Sequence, residues 1–183
     1  MTQSRQAHTV KIAGLTRELP LFEVAPGVRI AIFNMLGDTQ VVQAASKELA
    51  RRLPKQVQVL VTAEAKSIPL AHAMSVETGL PYIVLRKSYK PYMGEALSAE
   101  TLSITTGEKQ TLYLDEKDHA LVAGKQVAIV DDVISTGSTL QGIQLIMDKA
   151  GAGVIAQAAV FTEGERAKWK NIIALGHLPL FTD

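Results

Sequence analysis

Val127-Ala128-Ile129-Val130-Asp131-Asp132-Val133-Ile134-Ser135-Thr136-Gly137-Ser138-Thr139-Leu140 runs from an apolar segment through two acids into a loop of small hydroxyl residues. Val127–Val130 is apolar and mostly β-branched, which suits a strand covered on both faces. Asp131 and Asp132 then end the apolar run, and a helix is expected over Thr139–Ala150 with Leu140, Ile143, Ile146 and Met147 turned inward. Ser135–Thr139 therefore brings backbone N–H groups and hydroxyls to a helix start, where the dipole favours an anion. Two carboxylates beside such a cradle serve a ligand that brings hydroxyls or a cation, and a sugar phosphate with Mg²⁺ brings both. Acids at strand ends and hydroxyls at helix starts also occur as ordinary caps and turns. The length and order of features here favour a ligand site over that plainer reading.

Outward from this stretch the apolar periodicity alternates. A helix capped by Thr39 carries Val41, Val42, Ala45, Leu49 and Leu53 on one face and is stopped by Pro54. Val57–Val61 reads as a core strand, Ile68–Thr78 as a helix closed by Gly79, and Tyr82–Leu85 as the next strand. Strand, helix and strand at this spacing form a βαβ unit with parallel strands. Val154–Phe161 is a further core strand and Ile172–Leu175 a short one. The fold class expected is α/β, a doubly wound, mostly parallel sheet flanked by helices. The chain, residues 1–183, reads as one domain. Residues of about 10–35 are expected to form a small, irregular N-terminal hood. Residues of about 88–110, with Gly94 and Gly107, are too long for a plain connection and read as a mobile lid hairpin.

Composition narrows the function classes. A net charge of +1 offers no basic face for nucleic acid or an anionic membrane. With no cysteine, disulfides, thiolate metal sites and cysteine nucleophiles are excluded. No segment reads as a signal peptide or a membrane span, so a soluble cytoplasmic protein is expected. His8, His72, His119 and His177 are scattered without metal-ligand spacing, and Trp169 reads as packing.

In a doubly wound sheet, ligands bind beyond the C-terminal strand ends. Besides Asp131–Thr139, the loops there are Glu64–Ser67 and Arg86–Lys90. Lys66, Arg86, Lys87 and Lys90 suit a diphosphate, with amides and hydroxyls left for a terminal phosphate. The apolar–Asp-Asp–Thr-Gly-x-Thr arrangement, with Thr136-Gly137-Ser138-Thr139, resembles the phosphoribosyl diphosphate (PRPP) signature of type I phosphoribosyltransferases. It is not a Walker A loop, since no Gly-Lys-Ser/Thr follows the glycine. The resemblance runs over about residues 15–162 and is nearest the adenine branch. Arg17-Glu18-Leu19-Pro20-Leu21-Phe22 with Pro26-Gly27-Val28 is similar to that branch's hood segment, Glu64-Ala65-Lys66 to its diphosphate loop, and Arg86-Lys87 with Lys90-Pro91 to its Arg-Lys…Lys-x-Pro segment. Gly107 and Thr111–Leu114 look like the end of its lid.

The resemblance implies transfer of a phosphoribosyl group from PRPP to a nucleobase, a purine, with Mg²⁺, by a homodimer. It implies that Asp131 and Asp132 hold the ribose hydroxyls, directly or through Mg²⁺. Ser135, Thr136, Gly137, Ser138 and Thr139 would cradle the 5′-phosphate, with Val133 and Ile134 also at the PRPP site. Glu64, Ala65, Lys66, Ser67, Arg86, Lys87 and Lys90 would serve the diphosphate, and Arg29 and Ala31 would flank the base. Two departures stand out. Lys66 replaces the branch's usual arginine, trading a bidentate fork for a point charge. Ile104-Thr105-Thr106-Gly107 stands where the adenine enzymes usually read Leu-Glu-Tyr-Gly, and Thr105 has no carboxylate. Glu100 and Glu108 are the nearby acids. A non-catalytic PRPP sensor of the same fold stays open beside the enzyme, as does a generic sugar-phosphate-binding α/β protein.

Overall fold

The computed structural model describes residues 6–102 and 109–182. Ile104-Thr105-Thr106-Gly107 and Glu108 lie outside the described residues. In chain order the strands are β1 (Ala7–Ile12), β2 (Leu15–Ala25), β3 (Val28–Ala31), β4 (Val59–Ala63), β5 (Tyr82–Leu85), β6 (Leu97–Leu102), β7 (Lys109–Leu114), β8 (Gln126–Ile134), β9 (Gly153–Glu163), β10 (Ile173–Leu178) and β11 (Phe181–Thr182). The α-helices are α1 (Thr39–Arg52), α2 (Ile68–Thr78), α3 (His119–Val122) and α4 (Ser138–Lys149).

The central sheet has five strands in the order β10-β9-β8-β4-β5, and all of its pairings are parallel. From β4 the chain crosses to β5 on one side, then returns past β4 to build β8, β9 and β10 on the other. The order therefore reverses between β4 and β8, and the crevice for a ligand opens beyond the ends of those two strands. The apolar run of β8 alternates between two cores. Ala128 and Val130 face α1, α2 and the N-terminal strands, packing near Leu49, Leu70 and Phe33. Val127 and Ile129 face α4 and the β6–β7 hairpin, packing near Ile143, Ile146 and Leu112. Helices on both faces explain why β8 has no polar side until Asp131.

Several sequence expectations are corrected. The N-terminal segment is an antiparallel sheet in the order β1-β2-β3-β11, with one register shift between Glu23 and Ala25. Pro20 sits in the middle of it opposite Ala7, and its carbonyl accepts the Ile32 N–H at 2.9 Å. Proline lacks only the donor, so it still contributes an acceptor there. The C-terminal β11 closes this sheet by pairing Phe181 with Arg29, a partner that no local pattern announces. Phe33 and Phe161 meet edge-to-face at 5.0 Å, joining the hood to the end of β9. Helix α1 is capped by Asp38 rather than Thr39, its carboxylate accepting Val41 N–H at 3.1 Å. Arg17 Nε donates to the same carboxylate at 2.7 Å, ties β2 to α1 and holds Asp38 below the usual carboxylate range. The hairpin expected in the lid region is present as the antiparallel β6–β7 pair, and its Ala99, Leu112 and Leu114 are buried against α4.

Candidate active site

The acids lie inside a strand rather than beyond it. β8 continues through Asp131 and Asp132 to Ile134, which still pairs with Thr162 of β9. Consecutive strand residues point to opposite faces, yet both acids are gathered by one hydroxyl. Ser67 Oγ donates to Asp131 Oδ1 at 2.6 Å and accepts the Asp132 N–H at 3.0 Å. The Asp132 N–H also reaches Asp131 Oδ1 at 2.9 Å, and Asp132 Oδ1 accepts the Val133 N–H at 3.0 Å. Among the described residues, no protein donor reaches Oδ2 of either acid. Burial and the neighbouring Asp132 charge push the Asp131 carboxyl up to about 7.

The loop after β8 turns into α4 at Gly137, which has φ +82° and occupies the N-cap position. Only glycine adopts that region without strain. Thr136 Oγ1 lies 2.9 Å from Ser138 Oγ and accepts the Ser138 N–H at 3.3 Å. Asp131, Val133, Ile134, Ser135, Thr136 and Thr139 are among the walls of one small pocket here. α4 is long enough, at 12 residues, for its dipole to act on an anion held there. Trp169 closes one side, since a Cβ on Gly137 would stand 3.2 Å from its ring. Its indole N–H donates to the Glu163 carbonyl at 2.8 Å.

A second group forms at the ends of β4 and β5. Glu64 accepts from Arg86 Nε and from the Lys87 N–H at 2.8 Å. Arg86 Nη1 also donates to Tyr92 Oη at 3.3 Å, and the Tyr92 hydroxyl and Glu64 together raise the arginine above its ordinary range. Its backbone pairs with Tyr113 in both directions, at 2.9 and 2.8 Å, so this cation is anchored to β7. Glu64 therefore orients a cation, and the loop's own exposed side chains are Ala65 and Lys66. Ser67, 3% exposed, is turned away from that loop toward the acids. Lys87 and Lys90 are exposed, and Lys90 sits at the start of the short Pro91–Met93 turn.

Of the two residues expected to flank the base, Ala31 is buried at 3% exposure in the core under the hood. Arg29 is on β3 between Glu23 and Phe181 and bonds Gln6. The structure thus brings Ser67, Asp131, Asp132 and the 135–139 loop into one group and Glu64, Arg86 and Lys87 into another. Arg29 and Ala31 stay on the hood. Sequence reasoning does not single out Tyr92, and Trp169, read as packing, does pack on the 135–139 loop; Tyr92 meets Arg86 and Trp169 meets that loop only through tertiary contact. His177, one of the scattered histidines expected to be at the surface or satisfied, is satisfied: its Nδ1 lies 2.9 Å from the buried Thr162 hydroxyl. A cavity of about 320 Å³ is lined by Thr162, Arg166, Trp169 and His177, of which Trp169 also packs on Gly137. A larger one of about 480 Å³, between the ends of α1 and α2, shares no residue with the strand-end groups.

With this geometry in place, comparisons with known proteins converge. Residues 33–176 match the family model described as "Phosphoribosyl transferase domain". A hypoxanthine/guanine phosphoribosyltransferase of Methanococcus voltae is 34% identical over 150 residues, covering 81% of this chain and 73% of that protein. One of the same name from Methanococcus vannielii is 32% identical over 138 residues, covering 75% and 69%. The crystal structure of adenine phosphoribosyltransferase from Thermoanaerobacter pseudethanolicus superposes with a TM-score of 0.65 at 22% identity, covering 78% of this chain and 84% of that one. The adenine phosphoribosyltransferase of Giardia lamblia complexed with 9-deazaadenine gives 0.64 at 15% identity, with 93% of each chain covered. At these identities the structural likeness speaks for the fold.

Proposed function

The chain belongs to the phosphoribosyl transferase family, and from that premise we propose that it transfers the 5-phosphoribosyl group of PRPP to a purine in base salvage. A ring nitrogen of the base forms the new bond to ribose C1, the C1–O bond to diphosphate breaks, and the base loses its N–H proton. The observation that carries this reading is the acid pair. Asp131 and Asp132 are held through Oδ1, leave Oδ2 to a ligand, and stand next to a loop that starts a helix.

The ribose hydroxyls bind at Asp131 and Asp132, and the 5′-phosphate binds at Ser135–Thr139 with the Val133–Ile134 backbone leading in. The diphosphate binds at the 65–67 backbone, Lys66, Arg86, Lys87 and Lys90, with Glu64 holding Arg86 in place. Arg29 and Ala31 flank the base from the hood. Two carboxylates with spare oxygens fit Mg²⁺, which is commonly held by one or two carboxylates plus substrate oxygens. Among the described residues no group of three or more acids or histidines forms a complete cage. Held by Asp131 and Asp132 with substrate oxygens, the ion would supply neutralisation of the diphosphate charge.

For the acceptor we favour a 6-oxopurine. The relatives above 30% identity carry hypoxanthine and guanine in their names, and Thr105 offers no carboxylate where adenine enzymes usually place one. A cytoplasmic homodimer belongs to the same reading. No helix among the described residues is long and apolar enough to cross a membrane. Isothermal titration with PRPP and Mg²⁺ tests the donor half. Binding is expected for the wild type and a large loss for Asp131→Asn combined with Asp132→Asn. No binding, or equal binding by both proteins, overturns it.

A further inference from the structure

Ser67 occupies the N-cap position of α2, yet its side chain makes no cap bond there. A capping serine normally accepts a backbone N–H of the first turn, worth ~1 kcal/mol. Here the hydroxyl crosses to β8, a partner 64 residues away in sequence. Only one hydrogen is available. The 2.6 Å distance to Asp131 Oδ1 takes it, in preference to Asp132 Oδ1 at 3.3 Å. The hydroxyl's lone pair accepts the Asp132 N–H at 3.0 Å. A buried side chain with donor and acceptor both engaged has one stable orientation. The same residue ends the loop that begins at Glu64, so one hydroxyl joins the two strand-end groups.

We propose that Ser67 is a positioning residue. Its hydroxyl pins Oδ1 of Asp131 and the Asp132 backbone, so that Oδ2 of Asp131 is aimed at the ribose hydroxyls of the phosphoribosyl donor. This rests on the function proposed above. Without the hydroxyl, Asp131 keeps only the Asp132 N–H, its carboxylate rotates, and the donor loses a preorganised acceptor. Binding of the acceptor base, which meets the hood, is not touched.

The experiment compares wild type with Ser67→Ala, Ser67→Gly and Ser67→Thr. Glycine is accepted at N-caps at a cost of a few tenths of a kcal/mol, so it covers the case in which alanine harms α2. Expected for both hydroxyl-free variants is a rise of ~10–100-fold in Kd and KM for PRPP, the range for a lost hydrogen bond to a charged group. The KM for the base is expected to stay unchanged. Threonine is expected to restore PRPP affinity to within a few-fold. Wild-type affinity in the alanine and glycine variants, or an equal loss in all three, overturns the proposal. A ligand-free readout separates it from the functional reading. The ¹³C shift of the Asp131 carboxyl is expected to move in Ser67→Ala and Ser67→Gly and to return in Ser67→Thr. A wild type that fails to bind PRPP while that shift moves overturns the function and leaves the positioning role. An unmoved shift overturns the positioning role alone.

Discussion

Gly137 and Trp169 are packed so closely that a Cβ on the glycine would stand 3.2 Å from the indole ring. The 135–139 loop is thus braced from outside by a residue 32 positions later, and Trp169 is the single tryptophan of the chain. Its emission therefore comes from one site, in contact with that loop. Addition of PRPP, or of ribose 5-phosphate, is expected to shift or quench the fluorescence saturably, while free diphosphate acting at the 64–67 loop gives a smaller change. A fluorimetric titration checks this.

Gly137→Ala adds that Cβ at a φ of +82°. The left-handed conformation costs an L-residue ~1–2 kcal/mol, and the tryptophan ring must also give way. A Tm lower by ~2–8 °C is expected, with 5′-phosphate affinity falling further than the Tm loss explains. Differential scanning calorimetry and the same titration measure the two effects.

Glu64→Gln keeps the shape of the side chain but removes the charge that Arg86 and the Lys87 N–H share. Arg86 is then held only by Tyr92 and its backbone pairing with Tyr113. A rise of about tenfold in the KM for PRPP is expected, the scale of one lost charge-assisted hydrogen bond. Overall stability should change little, because partly exposed pairs contribute little to folding. Steady-state kinetics and a melting curve check the two halves.

The raised carboxyl of Asp131 sets a pH dependence with a definite sign. Burial and Asp132 hold it near 7 in the folded protein, against ~3.9 in an unfolded chain. Between those values the folded state binds the extra proton, so this group's contribution to stability falls as pH rises. Above about 7 both states are ionised and the slope ends. The Tm difference, wild type minus Asp131→Asn, is expected to decrease from pH 4 to 7 and then to level off. A difference that grows with pH over that window contradicts the assignment.

Much of the site can be read locally in the sequence. The apolar run of β8, the two acids and the hydroxyl loop are contiguous, and the strand–helix alternation around them places β4, β5 and β8 correctly to within a few residues. What stays hidden comes from pairing at long range. Pro20 falls inside β2 and Pro26 just after it, so the hood looks irregular until β1 and β11 are seen on either side of β2 and β3. Asp131 and Asp132 look like the end of β8, because polarity mimics a strand end. The strand continues because Val133 and Ile134 still pair with β9. Ser67 reads as one residue of a diphosphate-serving loop, since its true partner is set by the sheet order that puts β4 beside β8.

The acceptor is where the sequence and structural comparisons divide, between relatives named for hypoxanthine and guanine and fold neighbours named for adenine. One assay tests the central claim most directly: incubation with PRPP and Mg²⁺ against hypoxanthine, guanine, xanthine and adenine in turn, following diphosphate and nucleoside monophosphate together. Stoichiometric release of both with hypoxanthine or guanine, faster than with adenine, is expected. Tight PRPP binding with no turnover on any of the four bases would contradict the enzyme and leave a PRPP sensor in its place.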